Sequence, residues 1–211
     1  MPTSRRKLSA VLNDFCEEIA RLERYDRENQ AKFSTSVGVR ISKKQLHTLT
    51  EAIFFAGFRA YENFMRDIFL LYCMEKQPRS GTRVNSYLKP KDFEHAEQLI
   101  KSSMRFLDWS TPTQVIDRAE RYLKDGNPIK IPISTNLQAL TGYKRIRNHI
   151  AHNSKESMDD YKTVLRNHYG TIPTTIPSPG EYLLQPESGN PHRYKLLTFF
   201  DLMKKLAQDL T

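Results

Sequence analysis

Residues 43–75 read KKQLHTLTEAIFFAGFRAYENFMRDIFLLYCME, and their periodicity sets the fold. Leu46, Leu49, Ile53, Phe54, Phe58, Tyr61, Phe64, Ile68 and Leu71 recur at the three-and-four spacing of a helix. In the second half the apolar residues occupy more than one face. A helix wetted on one side has no use for that, so the spacing predicts a long helix at the centre of a bundle. Ser42 is placed to cap its start. Pro78 and Gly81, among Ser and Asn residues, turn Lys76–Lys89 into a loop.

Outward from this segment the chain keeps the same character. Leu8, Val11, Leu12, Phe15, Ile19 and Leu22 form the apolar stripe of a first helix ending near Gln30. Two shorter helices are predicted over Lys91–Leu107 and Thr113–Lys124, the second started by Ser110 or Thr111 with Pro112. Pro128 and Pro132 predict an extended Gly126–Ile133. Ser134 or Thr135 is expected to cap a helix running to His152, and another covers Met158–His168. Gly170–Tyr194 holds five of the eleven prolines and three of the eight glycines, so no helix is expected there. Within it, Glu181–Gln185 and His192–Leu196 are expected to pair as a small hairpin around PESGNP. Leu196–Leu210 closes the chain as an amphipathic helix. The fold class is therefore all-α: a helical bundle of about six to seven helices with a long central helix, a Pro-rich loop and a small β-hairpin before the C-terminal helix. A single domain is expected over 1–211. Residues 76–133 read as a helical insertion, open to roles as a regulatory element, substrate wall or dimer contact. Residues 169–195 read as a Pro/Gly-rich loop.

Composition bounds what such a bundle does. Hydrophobic residues at 38% and aromatics at 10% are enough for a buried core, which excludes disorder. Lys and Arg outnumber Asp and Glu by 33 to 24, and a net charge of +9 favours polyanionic partners. Two cysteines, Cys16 and Cys73, exclude a disulfide scaffold and a four-cysteine zinc site. Both lie in apolar-periodic stretches and read as reduced core residues of a cytosolic protein. The most apolar runs, Ala52–Phe58 and Ile68–Met74, fall far short of the roughly 18 residues a span needs. The start, MPTSRRKLSA, lacks the apolar stretch of a signal peptide. A soluble, cytoplasmic protein is expected. Phosphate-loop, dinucleotide, HExxH and GxSxG patterns are absent from the sequence.

The chemistry-bearing stretch is YKRIRNHIAHNS, Tyr143–Ser154. On a helical wheel Ala139, Tyr143, Ile146 and Ile150 make the apolar stripe. Arg145, Asn148 and His152 cluster on the far side. Arg147 sits on the shoulder of the stripe, where a partly buried guanidinium needs an anionic partner. An arginine fork suits a phosphate, and an imidazole titrating near neutrality suits proton transfer. Plainer roles exist beside this one. His152 can cap the helix end against the macrodipole. His149 and His152 form HxxH, a metal pair with no further ligand in view. Glu62 and Arg66 are an ordinary i,i+4 ion pair. Arg5-Arg6-Lys7 and Lys43-Lys44 read as solvated charge, and Trp109 as a core plug.

The stretch resembles the signature of the HEPN superfamily (higher eukaryotes and prokaryotes nucleotide-binding domains), in its ribonuclease and toxin-like branch. That signature is an Arg, four to six residues, then a His, often with a polar residue directly after the Arg. Arg147-Asn148-His149-Ile150-Ala151-His152 fits the four-residue form, and Arg145 to His152 fits the six-residue form. The earlier helix contributes Tyr61-Glu62-Asn63-Phe64-Met65-Arg66, similar to the family's glutamate followed by a basic residue. The resemblance implies a metal-independent endoribonuclease with no cofactor. It would leave 2′,3′-cyclic phosphate and 5′-hydroxyl ends. It also implies His152 as general acid/base and Arg147 as phosphate stabiliser. Asn148 would orient the phosphate or the ring, and Glu62 would hold an arginine, with Arg147 the best placed. If the helix stays ideal through Ala151, Arg145 takes the phosphate and Arg147 is structural. The implied partners are RNA, a second copy of the chain completing the site, and an antitoxin or regulatory protein. The implied role is defence or toxicity. The alternative is a non-catalytic HEPN-like module binding RNA, a nucleotide or a partner protein.

Overall fold

Helix periodicity carries through most of the chain. The computed structural model describes residues 6–38, 40–79, 81, 83–102, 104–187 and 190–211. In order the elements are α1 (Leu8–Ser34), α2 (Lys43–Cys73), α3 (Phe93–Lys101), α4 (Pro112–Tyr122), a 3-10 turn (Lys124–Gly126), α5 (Lys130–Thr135), α6 (Leu137–His152), α7 (Lys155–Tyr169), α8 (Pro179–Leu183), β1 (Pro186–Glu187), β2 (Asn190–Tyr194) and α9 (Lys195–Asp209). The fold is all-α apart from the two short antiparallel strands. Among the described residues no helix is long and apolar enough to cross a membrane.

The start of α2 is fixed as the sequence predicts. The Ser42 Oγ accepts from the Gln45 N–H, and the Ser42 N–H donates to Gln45 Oε1 at 2.8 Å. Other boundaries differ for identifiable reasons. The helix predicted over Lys91–Leu107 ends at Lys101, where Ser102 takes a positive φ of 47°. Serine bonds its own neighbourhood readily and interrupts a weak helix. The stretch Gly126–Ile133, predicted extended, holds the last residue of the 3-10 turn and the first four of α5. Pro132 is the third residue of α5, in the first turn, whose N–H groups need no acceptor. Ser134 and Thr135 belong to α5 and do not cap α6. Asn136 occupies the junction, its side chain donating to the Pro132 carbonyl at 2.9 Å.

Gly170–Tyr194, predicted free of helix, holds α8. Ser178 caps it by accepting from the Glu181 N–H, and Pro179 stands at the first helical position. Because 181–183 is helical, Glu181–Gln185 does not pair with His192–Leu196. The hairpin lies further along, with Pro186 opposite Tyr194. Gly180 is required where it stands. A Cβ there would lie 2.1 Å from the His47 carbonyl oxygen, while its N–H donates to Glu51.

The chain divides into two compact units, with boundaries inside α1, α2, α6 and α9. The first unit holds the residues up to Glu17, Ala60–Thr141 and Lys204–Thr211. Its centre is the second half of α2, where Phe64, Met65 and every residue from Ile68 to Cys73 are buried. Phe64 packs on Phe15 with ring centroids 4.8 Å apart, and Phe69 on Trp109 at 5.1 Å. Trp109 is a core plug, with the Arg118 guanidinium 5.0 Å from its ring. The Tyr72 hydroxyl donates to the Leu210 carbonyl. Residues 76–133 contribute Val84, Phe93, Ile100, Val115 and Ile129 to this same core.

The second unit holds Glu18–Arg59 and Gly142–Met203. Phe54, Tyr143 and Phe199 form its aromatic centre, with Phe54 to Phe199 at 4.7 Å and Tyr143 to Phe199 at 5.0 Å. Gly57 lets α9 approach α2 closely here. A Cβ at Gly57 would meet the Phe199 ring at 3.0 Å. Stacking of these rings fixes the roll of α6, and so decides which of its side chains face out.

Candidate functional site

The roll of α6 follows from what it buries. Leu140, Ile146 and His149 are buried, and Tyr143 is wedged between Phe54 and Phe199. At 100° per residue, Arg145, Asn148 and His152 then fall within roughly 60° of one another on the outer side. The helix remains α-helical through His152, the condition under which Arg145 shares the histidine's face. Its end is abrupt. The Asn153 N–H closes the last turn on the His149 carbonyl at 3.0 Å, and Asn153 adopts a left-handed φ of 43°. Ser154 begins α7 with a capping box, its Oγ accepting from the Ser157 N–H while Ser157 Oγ accepts from the Ser154 N–H. The chain turns away directly after His152 and leaves that ring exposed.

The two arginines have different surroundings. Arg147 is half-buried, its guanidinium 5.6 Å from the Phe55 ring and 6.0 Å from the Phe58 ring. It also donates to Asn148 Oδ1 at 3.1 Å, so one amide side chain links the shoulder to the outer face. Stacking on a ring leaves the edges of a guanidinium able to grip an anion. Arg145 is held toward α7, its Nε 3.7 Å from Asp160 Oδ1. An ion pair that long and that exposed is weak, and a phosphate competes with it on favourable terms.

His149 is the residue that sequence reasoning placed least well. It appeared there only as half of HxxH, yet it is a core side chain. Its ring stacks on Tyr161 at 5.1 Å with 14° between planes, and Nδ1 lies 3.3 Å from Ser157 Oγ. Burial pushes its pKa below the ordinary imidazole value, with Glu51 partly opposing the shift. So the HxxH pair is split, one ring packed inside and the other in solvent. Among the described residues no three His, Cys, Asp or Glu side chains gather as metal ligands. The signal for His149 was available in its spacing from Ile146, which puts it on the inner face.

Glu62 is half-buried on α2 and belongs to the first unit, whereas Arg145, Arg147, Asn148 and His152 belong to the second. Arg66, expected to accompany Glu62, donates to Asp67 through Nε at 3.0 Å and through a terminal nitrogen at 2.9 Å. Asp67 in turn pairs with Arg6.

These features define a class by geometry: an all-α protein with an exposed helix-end histidine, an amide and two half-buried arginines in different surroundings. No family model matches the chain, and no curated protein or solved structure is similar to it.

Proposed function

We propose that this chain is a metal-independent endoribonuclease of the HEPN type. One observation carries the reading. The uninterrupted helix through His152 aligns Arg145, Asn148 and His152 on a single outer face, with Arg147 bonded to Asn148 beside them. The positive net charge of +9 supports it, since RNA is a polyanion.

The chemistry needs few groups. The ribose 2′-hydroxyl attacks the adjacent phosphorus, and a base takes its proton. The bond from phosphorus to the 5′-oxygen breaks, and an acid protonates that oxygen. The products are a 2′,3′-cyclic phosphate and a 5′-hydroxyl. His152 serves as general acid/base, exposed where a substrate reaches it. Arg147 stabilises charge on the non-bridging oxygens, braced by its aromatic neighbours. Asn148 orients the phosphate or the imidazole. Arg145 is the second candidate for the phosphate. A single imidazole is a sparse provision for acid and base together, and a homodimer bringing two sites together supplies the second set. The biological reading is a cytoplasmic defence or toxin effector, with an antitoxin or other regulatory protein as partner.

The test is RNA cleavage by purified protein in EDTA, with wild type beside His152→Ala. Loss of a general acid/base typically costs about 10²–10⁴ in rate, so the variant falls by that much. An inert wild type, or equal cleavage by both proteins, overturns the proposal.

A further inference from the structure

Lys195 is an expensive residue that the proposed chemistry does not use. It is the first residue of α9, directly after the hairpin, and only 6% exposed. Its ammonium lies 3.3 Å from His168 Nδ1 on α7, 3.8 Å from the Glu187 carboxylate on β1 and 5.3 Å from the Tyr182 ring on α8. Its backbone N–H donates to the Gln185 carbonyl at 3.1 Å. Gln185 in turn accepts from the Tyr169 hydroxyl through its side chain. One residue therefore fastens α8, β1 and α7 together. His168 is itself stacked edge-on to Tyr182 at 5.7 Å. It stands thirteen residues from Lys155 along α7, so about 20 Å of helix separates it from the His152 end. This cluster is not part of the ribonuclease site.

The charges in the cluster balance in only one protonation state. With His168 neutral, its Nδ1 accepts from Lys195, and Glu187 offsets the single positive charge. With His168 protonated, that hydrogen bond is lost, and a buried ammonium and a half-buried imidazolium face one partly exposed carboxylate. The other groups nearby do not compensate. Tyr143, Tyr169 and Tyr182 are phenols, and burial pushes Tyr143 and Tyr182 further from ionising. Burial and the Lys195 charge both hold His168 below the ordinary imidazole value, and burial lowers Lys195 as well.

The preceding residue is anchored in the opposite sense. Tyr194 donates to Asp26 on α1, a fully buried carboxylate with the Gln30 amide beside it. Arg27 and Glu23 are the charged groups around it. Burial raises Asp26 above the usual carboxylate range, so acid relieves a buried charge there. Mild acid thus loosens the Lys195 contact, one residue from the Tyr194 anchor on Asp26.

We infer that the His168–Lys195–Glu187 cluster is a pH-sensitive latch, holding α8 and β1 closed near neutrality and releasing them about the Tyr194–Lys195 hinge in mild acid. Amide exchange, expressed as protection relative to a free chain at each pH, reads this directly. On going from about pH 7.5 to about pH 5.5, across the histidine range, the amides of 181–185 and 187 lose protection several-fold in wild type. Lys195→Met and His168→Phe each flatten that response, the first by removing the repelled cation and the second by removing the titrating ring. No loss in wild type, or the same loss in both variants, overturns the latch. Should a variant fail to fold, an NMR titration of the wild-type His168 ring decides. The hairpin amides must follow the same curve as the ring, and divergent curves overturn the inference.

Discussion

The second half of α2 and the end of α6 are opposite uses of the same secondary structure. From Ile68 to Cys73 every side chain of α2 is buried, and its ionisable groups are silenced. Burial pushes the Cys73 thiol up to about 12 and drives the Tyr72 phenol higher still. Between Arg145 and His152, α6 buries only Ile146 and His149, and holds two guanidiniums and an imidazole at the surface or near it. The first arrangement stores stability and excludes chemistry. The second spends packing area to keep charge within reach of solvent. A helix thus announces its use by the width of its apolar stripe: all round for a core, one narrow face for a site.

The contrast is broken most severely from the core side. Phe69→Ala removes a fully buried ring stacked on Trp109 and is expected to cost about 3–5 kcal/mol, read as a shift in the denaturant midpoint. A cost below about 1 kcal/mol would mean that this helix is not enclosed. Gly180→Ala comes next. The new methyl would overlap the His47 carbonyl, and strain of about 1–3 kcal/mol is expected, with α8 displaced. Circular dichroism melting that leaves the variant at wild-type stability would refute the close approach.

His149 sharpens the comparison, because it is an imidazole that α6 commits to packing. Its folded pKa lies below the unfolded value. Above about pH 6.5 both states are neutral and the stacking contact is intact. As pH falls below that, the unfolded chain takes up its proton first, and stability drops until the folded ring titrates too. His149→Phe is expected to remove this part of the acid sensitivity. An unchanged pH slope in the variant would show that the ring titrates freely. The smallest effect is expected from Asp160→Asn. The ion pair to Arg145 is long and exposed, so stability changes by less than about 1 kcal/mol. RNA affinity, measured at low salt, is expected to rise modestly as Arg145 is freed.

Much of this was legible in the sequence, and the gaps have physical causes. Among the described residues the seven helices of eight residues or more all show in the periodicity, because each buries a stripe long enough to repeat. The two short ones, α5 and α8, were hidden by proline. Pro132 and Pro179 were read as helix breakers, although both stand in a first turn where no N–H is missed. The sequence around Tyr143–His152 identified the outer-face residues, since a regular helix makes wheel angles dependable. It did not reveal that His149 stacks on Tyr161, or that Asp160 reaches Arg145. Those contacts depend on how α7 returns along α6, which the Asn153-Ser154 turn decides. Nor did it show Lys195 beside His168, residues that periodicity treats as unrelated.

The activity proposed for the outer face of α6 is RNA cleavage by way of the 2′-hydroxyl. The most direct measurement is cleavage, in EDTA, of one RNA and its fully 2′-O-methylated copy, with the product ends analysed. Wild type, Arg147→Ala, Arg145→Ala and His152→Ala are compared side by side. Cyclic-phosphate and 5′-hydroxyl ends are expected from the RNA and none from the methylated copy. Cleavage is expected to be lost in His152→Ala, with a larger loss for the arginine that holds the phosphate than for the other. Cleavage of the methylated copy, or undiminished cleavage by His152→Ala, would contradict the proposed activity.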